Sequence, residues 1–84
     1  MKAYQVFEGD IDTYGRQTYE LVATYLDKEK ALQHCKEIAE ATPLHGDVLE
    51  EREFNVNGRL IRNWCAIGWG IVDIARFVEI EIIE

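Results

Sequence analysis

Apolar and polar residues alternate along most of this chain, a pattern that predicts β-strands rather than helices. The first predicted strand covers residues 2–8, and the second covers residues 18–26. The segment 9–15 between them is rich in turn-forming residues and predicts a loop. Because both faces of the second strand carry apolar residues, we expect this strand to lie inside the sheet rather than at its edge.

One segment has the period of a helix instead. Asp27 is the predicted N-cap, because its short carboxylate can accept hydrogen bonds from the free amides of the first turn. The helix should run from about Lys28 to Ala41 and end before Pro43, because a proline forces the residue before it out of the α region. Its apolar stripe consists of Ala31, Leu32, Cys35, Ile38 and Ala39.

The clearest turn lies at Asn57-Gly58, because both residues tolerate the positive φ angles of a type I′ hairpin turn. A two-residue loop at this point determines the register of the flanking strands. The predicted cross-strand pairs are Val56 with Arg59, Phe54 with Ile61, and Glu53 with Arg62. The second strand of this hairpin should continue to about Ala66.

Gly68-Trp69-Gly70 predicts a bend before the final strand, which covers residues 72–82. Alternation places an apolar set of side chains on one side of this strand, and Arg76 interrupts that side. The apolar set is Val72, Ile74, Val78, Ile80 and Ile82. The acids expected on the other side are Asp73, Glu79 and Glu81.

These elements, in the order β-β-α-β-β-β, predict an α+β fold in which one helix packs on one face of an antiparallel β-sheet. A chain of 84 residues has room for a single domain, residues 1–84. A helix of about 14 residues is about 21 Å long and cannot cover a five-stranded sheet. We therefore expect an uncovered part of the sheet that binds a partner or a second copy of the chain, which would form a homodimer.

The composition indicates an acidic protein with a packed core. Hydrophobic residues make up 48% of the chain, and sixteen acidic residues against nine basic ones give a net charge of −7. Such a charge repels phosphate backbones, so we expect no direct binding to nucleic acid and a protein partner with a basic surface. The chain has neither an apolar run long enough to span a membrane nor a signal-peptide pattern at its start, so we expect a cytoplasmic protein.

Few residues suggest chemistry. The segment Asp10–Gly15 resembles the start of a calcium loop, but Tyr14 and Leu21 occupy positions that need oxygen ligands, which favours a plain turn. Cys35 lies on the apolar stripe of the helix and Cys65 on a strand, which favours reduced core thiols over a disulfide or a nucleophile. Because the sequence has no metal-binding spacing and no phosphate loop, we expect no metal, no cofactor, no catalytic residue and no enzymatic activity.

Two features could instead bind a partner. The acidic residues form three groups: Glu8, Asp10 and Asp12; Glu50, Glu51 and Glu53; and Glu79, Glu81 and Glu84. We hypothesise that a loop and a hairpin project the following acids together as a binding surface: Asp10, Asp12, Glu50, Glu51 and Glu53. The alternative is that these acids are solvated and protect sheet edges. Trp64 and Trp69 are candidate binding anchors, because tryptophan is enriched at interface hot spots, and core packing is the alternative for both.

The segments Tyr4–Gly9 and Tyr19–Ala31 together resemble a pattern in small bacterial and phage proteins of unknown function, in which two strands precede a helix that begins DKEKA. The resemblance covers about the first 40 residues and implies no catalytic residue. In size and acidity the chain is similar to phage-encoded inhibitors of host defence, such as anti-CRISPR proteins, several of which occupy basic nucleic-acid channels. This similarity implies an inhibitor of a nucleic-acid-binding defence complex of the host. The alternative is a small regulatory or ligand-binding module of a bacterial cell.

Overall fold

The computed structural model describes residues 1–83, which contain five strands and one helix. Glu84, which the sequence groups with Glu79 and Glu81, lies outside the described residues. The elements are β1 (Lys2–Ile11), β2 (Gln17–Tyr25), α1 (Lys28–Ala41), β3 (Val48–Val56), β4 (Arg59–Ile67) and β5 (Ile71–Glu81). The predicted α+β class and the order β-β-α-β-β-β are therefore confirmed.

The helix begins and ends at the predicted residues. Oδ1 of Asp27 accepts hydrogen bonds from the backbone N–H groups of Glu29 at 2.9 Å and Lys30 at 3.2 Å. These bonds satisfy two of the donors that the first turn leaves free. At the other end α1 stops at Ala41, just before Pro43.

The β3–β4 hairpin has the predicted turn and register. Asn57 has a φ of 53° and Gly58 a φ of 79°, so both residues of the turn adopt the left-handed conformation that a type I′ turn requires. The observed pairs include Val56 with Arg59, Phe54 with Ile61, and Glu53 with Arg62. β4 continues to Ile67, one residue beyond the predicted end.

β5 lies in the middle of the sheet, whose strand order is β2-β1-β5-β4-β3. It joins the two hairpins, because it pairs antiparallel with β1 on one side and with β4 on the other. This order places β2 at an edge, so the expectation that β2 lies inside the sheet is wrong. The inner position goes to β5, which buries Ala75 and Phe77 completely, while Leu21 and Val22 of β2 remain exposed.

α1 packs on one face of the sheet, which we call the covered face. The helix contributes Ala31, Cys35 and Ala39, and because these side chains are small its backbone can approach the strands closely. From the sheet, the buried core contains Val6, Trp64, Ala75 and Phe77. The contacts of α1 are concentrated on β1 and β5. The opposite face of the sheet, which we call the open face, has no helix packed on it among the described residues.

A β-bulge in β5 reverses the alternation of its side chains. Trp64 pairs with Ala75, but the next residue of β4 pairs with Asp73, which leaves Ile74 as an additional residue. As a result, the covered face carries Ala75, Phe77 and Glu79, and the open face carries Asp73 before the bulge and Arg76 and Val78 after it. The expectation that Asp73 and Glu79 share a face is wrong, because strict alternation assumes that no residue is inserted.

Above this bulge, a side chain replaces the backbone ladder between β1 and β5. The ladder ends at the pair Glu8–Ala75. Gln17 of β2 then reaches across β1 to β5. Its Nε2 donates to the carbonyl of Asp73 at 3.0 Å, and its Oε1 accepts from the N–H of Asp73 at 2.9 Å. Gly9 lies beneath this bridge, where a Cβ would stand only 1.9 Å from the carbonyl oxygen of Asp73. The bulge therefore requires a residue without a side chain at position 9.

We expect Gly9→Ala to lower the free energy of unfolding by about 3 kcal/mol, because the added methyl group overlaps a backbone atom that cannot move without breaking the bridge. Gly70→Ala is the matched control, because a Cβ at position 70 has no heavy atom within 4 Å. Its effect should stay within about 0.5 kcal/mol. Urea unfolding measures both variants, and equal stability of the two would contradict this account of the bulge.

Candidate interaction surfaces

Three loops meet at one end of the sheet. β1 and β4 are both antiparallel to β5 and therefore run in the same direction, so the β1–β2 and β4–β5 loops leave the sheet at the same end. The α1–β3 loop joins them there, because the side chain of Asp47 lies against Gly68. We call this end the apex surface. It is formed by Asp10, Asp12, Tyr14, Asp47 and Trp69.

Trp69 stands at the tip of the β4–β5 loop and is fully exposed. The pair Ile67–Ile71 closes the loop, and the N–H of Gly68 donates to the carbonyl of Gly70 at 3.0 Å. A Cβ at position 68 would lie 2.0 Å from Oδ1 of Asp47, so glycine lets the two loops touch. The sequence predicts both the bend and the candidate anchor at this position, and the structure places the indole in solvent.

Asp12 organises the β1–β2 loop. Its Oδ1 accepts hydrogen bonds from the backbone N–H groups of Tyr14 and Arg16, both at 2.9 Å. Its Oδ2 accepts from Nε of Arg16 at 3.2 Å. Both oxygens that a calcium ion would need therefore already have donors, as in a turn stabilised by an aspartate. This arrangement agrees with the interpretation of the segment as a plain turn.

The apex surface is acidic. Asp12 and Asp47 in its loops and Asp10 near the end of β1 supply three carboxylates, against the single guanidinium of Arg16. The last turn of α1 ends at the same side of the sheet and has no basic residue to offset the negative end of the helix dipole. A protein that approaches this end therefore meets a negative potential around an exposed aromatic ring.

The acids of β3 do not join this surface. β5 and β4 lie between β1 and β3, so the β3 acids stand about 14 Å to the side of Asp10 and Asp12. They are also divided between the two faces, because Glu50 lies on the open face and its neighbour Glu51 on the covered face. The hypothesised grouping of Asp10 and Asp12 with Glu50, Glu51 and Glu53 is therefore not formed.

Each acid of β3 instead has a partner within the sheet. Glu53 accepts from Arg62 at 2.9 Å, and Glu50 accepts from Arg52 at 3.3 Å. Glu51 accepts from Nε1 of Trp64 at 3.0 Å. The pairs of Glu51 and Glu53 cross to β4 and hold the edge strand against its neighbour, whereas the pair of Glu50 lies within β3.

Trp64 belongs to the core. It is 2% exposed, packs beneath α1, and uses its only polar atom to bind Glu51 across the β3–β4 pair. Of the two interpretations of Trp64, core packing is the one that the structure shows. In this conformation the ring has no surface with which to bind a partner.

A polar network that the sequence did not reveal lies on the open face, at the bulge. The carboxylate of Asp73 accepts from the hydroxyl of Tyr19 and from Sγ of Cys65, the latter at 3.1 Å. Arg76 pairs with Asp73 at 3.4 Å, donates to the hydroxyl of Tyr19 at 2.7 Å, and lies 4.0 Å above the tyrosine ring. Its Nε also donates to Oδ1 of Asn63 at 2.9 Å.

Two features of the fold explain why the sequence pattern did not predict this network. Strict alternation places Asp73 and Arg76 on opposite sides of β5, and only the bulge brings them to one face. Tyr19 joins them from β2, two strands away, because Gly9 of the intervening β1 has no side chain. The available sequence signal was Arg76 itself, a charged residue on an otherwise apolar side of the strand.

Both cysteines are held as neutral thiols. Burial raises the pKa of Cys35 to about 12. Burial, followed by the hydrogen bond to Asp73, raises the pKa of Cys65 to about 12. The same two causes raise the pKa of Tyr19 to about 12. Because thiolate is the reactive form of cysteine, neither thiol is activated as a nucleophile at neutral pH.

Within residues 1–83, no group of three or more His, Cys, Asp or Glu side chains is placed to hold a metal ion. No helix in this part of the chain is long and apolar enough to cross a membrane. No protein-family model, curated protein or solved structure matches the chain. The function must therefore be argued from the surfaces of the molecule.

We expect calcium at about 5 mM to leave the melting temperature unchanged within about 1 °C, because donors within the loop already use both oxygens of Asp12. An occupied calcium site would instead raise the melting temperature, since a ligand that binds the folded state stabilises it by mass action. Differential scanning calorimetry provides the measurement. A clear rise that is lost in the variant Asp10→Ala/Asp12→Ala would show a calcium site.

We expect Cys35 and Cys65 to resist Ellman's reagent at pH 8 in the folded protein and to react fully once the protein is unfolded. A pKa of about 12 leaves roughly a thousandfold less thiolate than the ordinary value near 9, and burial blocks access as well. The measurement is the absorbance of released thionitrobenzoate, with and without guanidinium. Rapid reaction of either thiol in the native protein would refute its assignment to the core.

Proposed function

We propose that this domain is a non-enzymatic protein-binding module that engages a basic partner through the apex surface, with Trp69 as the anchor. The observation that carries the proposal is a fully exposed tryptophan on a tight hairpin tip, with Asp47 beside its loop and Asp10 and Asp12 at the same end of the sheet. An indole of this size leaves an unfavourable apolar surface in water. A partner pocket that takes it up gains more than any other single side chain of the apex can supply.

The rigidity of the loop supports this role. The Ile67–Ile71 pair closes the loop, the N–H of Gly68 donates to the carbonyl of Gly70 across it, and Asp47 packs against it from the neighbouring loop. A side chain held on a constrained tip loses little conformational entropy when a partner binds it. Trp69 should therefore act mainly on the dissociation rate.

The charge of the apex complements a basic partner. Carboxylates at the rim of an interface attract a positive surface over several ångströms and raise the association rate, an effect that salt screens. The domain as a whole has a net charge of −7, which adds to this attraction. The surfaces that fit best are those that bind the phosphate backbone of nucleic acid, as in the host defence complexes that the resemblance implies. On this proposal the domain competes with nucleic acid for its partner.

The experiment is a quantitative pull-down from lysate of the natural host cell with the immobilised domain, at about 0.05 M and about 1 M salt, where the screening length falls to about 3 Å. We expect Trp69→Ala to weaken capture of the specific partner about 30-fold, as for a hot-spot residue. Asp10→Asn/Asp47→Asn should reduce capture severalfold at low salt only. Added duplex DNA should displace the captured partner.

Matched controls lie outside the apex surface. Leu26→Ala removes an exposed apolar side chain, and Glu29→Gln/Glu37→Gln removes two exposed charges from α1. Neither control should change capture. If the same proteins are recovered equally by wild type, Trp69→Ala and Asp10→Asn/Asp47→Asn, the apex is not the binding surface.

A further inference from the structure

The open face carries the same order of side chains along two of its strands. On β3 the order from the apex end is apolar, acidic, basic, apolar: Val48, Glu50, Arg52 and Phe54. On β5 it is again apolar, acidic, basic, apolar: Ile71, Asp73, Arg76 and Val78. Neutral residues occupy the same levels of β4 between them: Ile67, Cys65, Asn63 and Ile61. The face thus consists of an apolar row, an acidic row, a basic row and a second apolar row.

This order matches itself after a half-turn. The two-fold axis lies in the plane of the interface, runs parallel to the rows, and passes between the acidic row and the basic row. Rotation about this axis places each acidic row opposite a basic row of the other copy. The same rotation places each apolar row opposite the other apolar row. A two-fold interface must be self-complementary in this way, because the same patch is used on both sides.

We propose that the open face binds a second copy of this chain, forming a two-fold dimer in which the two sheets stack face to face. Stacked sheets lie about 10 Å apart with their strands nearly aligned. Glu50 then faces Arg52 of the other copy, and Asp73 faces Arg76. The strands of the two copies run in opposite directions, so the dimer presents its two apex surfaces at opposite ends.

The exposed apolar area favours this contact. Val48 is 67% exposed, Ile71 is 53% exposed and Phe54 is 45% exposed, although all three lie on one face of the sheet. The rotation brings Val48 over Phe54 and Ile71 over Val78 of the other copy. Burial of these side chains supplies the hydrophobic contribution that a stacked-sheet interface needs.

The charged rows can be buried because no charge is left unpaired. Glu50 already binds Arg52 at 3.3 Å, and Asp73 binds Arg76 at 3.4 Å within each chain. Each group would gain a second opposite charge from the other copy, which creates two alternating clusters of four charges. Asp73 and Arg76 have side-chain exposures of only 15% and 29%, so they have already lost much of their hydration. A partner without this order of charges would leave several of them buried and unpaired, at a large cost.

Sedimentation equilibrium of the full chain, from about 1 to 300 µM, tests the proposal with four proteins and one mixture. Wild type should be a dimer at the upper concentrations. E50R and R52E should each weaken the dimer at least tenfold, because each places like charges opposite one another across the axis. The double variant E50R/R52E should regain the dimer, because exchanging the two rows restores opposite charges. Circular dichroism confirms that each variant folds.

The most decisive sample is a mixture of E50R with R52E, measured in the same way. One chain then has two positive positions and the other two negative ones, so the two-fold arrangement pairs every charge only between different chains. We expect the mixture to form a heterodimer more tightly than either variant forms a dimer alone. A monomeric wild type at 300 µM, or a wild-type dimer that neither single variant weakens, would overturn the proposal. Failure of the mixture to associate would do so as well. The apex proposal has its own readout, because these substitutions leave Trp69 and the apex carboxylates unchanged.

Discussion

The pairing of β5 with both β1 and β4 is the contact on which the rest of the structure depends. Each of the two hairpins can form locally, but neither has a core of its own. β5 arrives last along the chain and joins them into one sheet, burying Ala75 and Phe77 against α1. The small side chains of the helix then close over the centre of that sheet. Because β5 takes the central place, β2 and β3 become the edges, and the open face becomes one continuous surface.

The bulge at Ile74 gives the two faces their different characters. By shifting the alternation by one residue, it places Phe77 in the core and directs Asp73 and Arg76 to the open face. Gly9 and Gln17 compensate for the interrupted ladder, one by leaving space and the other by supplying hydrogen bonds. An isolated acid or base at this depth would be costly, but the network of Asp73 with Tyr19, Cys65 and Arg76 pairs each of them.

The acidic residues of this chain therefore have several roles rather than one. Asp27 caps the helix and Asp12 shapes a loop. Glu51 and Glu53 tie the edge strand β3 to its neighbour, and Asp73 organises the bulge. Net charge alone does not separate these roles from binding, because a carboxylate that accepts two backbone hydrogen bonds carries the same formal charge as a free one. What distinguishes the apex is the combination of excess acid with an exposed tryptophan.

Features encoded by neighbouring residues were predictable from the sequence alone. Four such features depend on contacts within a few residues: the N-cap at Asp27, the helix end before Pro43, the type I′ turn at Asn57-Gly58, and the register that follows from that turn. The glycines beside Trp69 predicted the bend in the same way, whereas residue type alone named Trp64 and Trp69 equally as candidate anchors. Only the tertiary structure decided four other features: the position of β2, the burial of Trp64, the division of the acids between faces and edges, and the network around Asp73. Each depends on which distant strand β5 pairs with and on one inserted residue that reverses its faces, and short-range patterns contain no information about either.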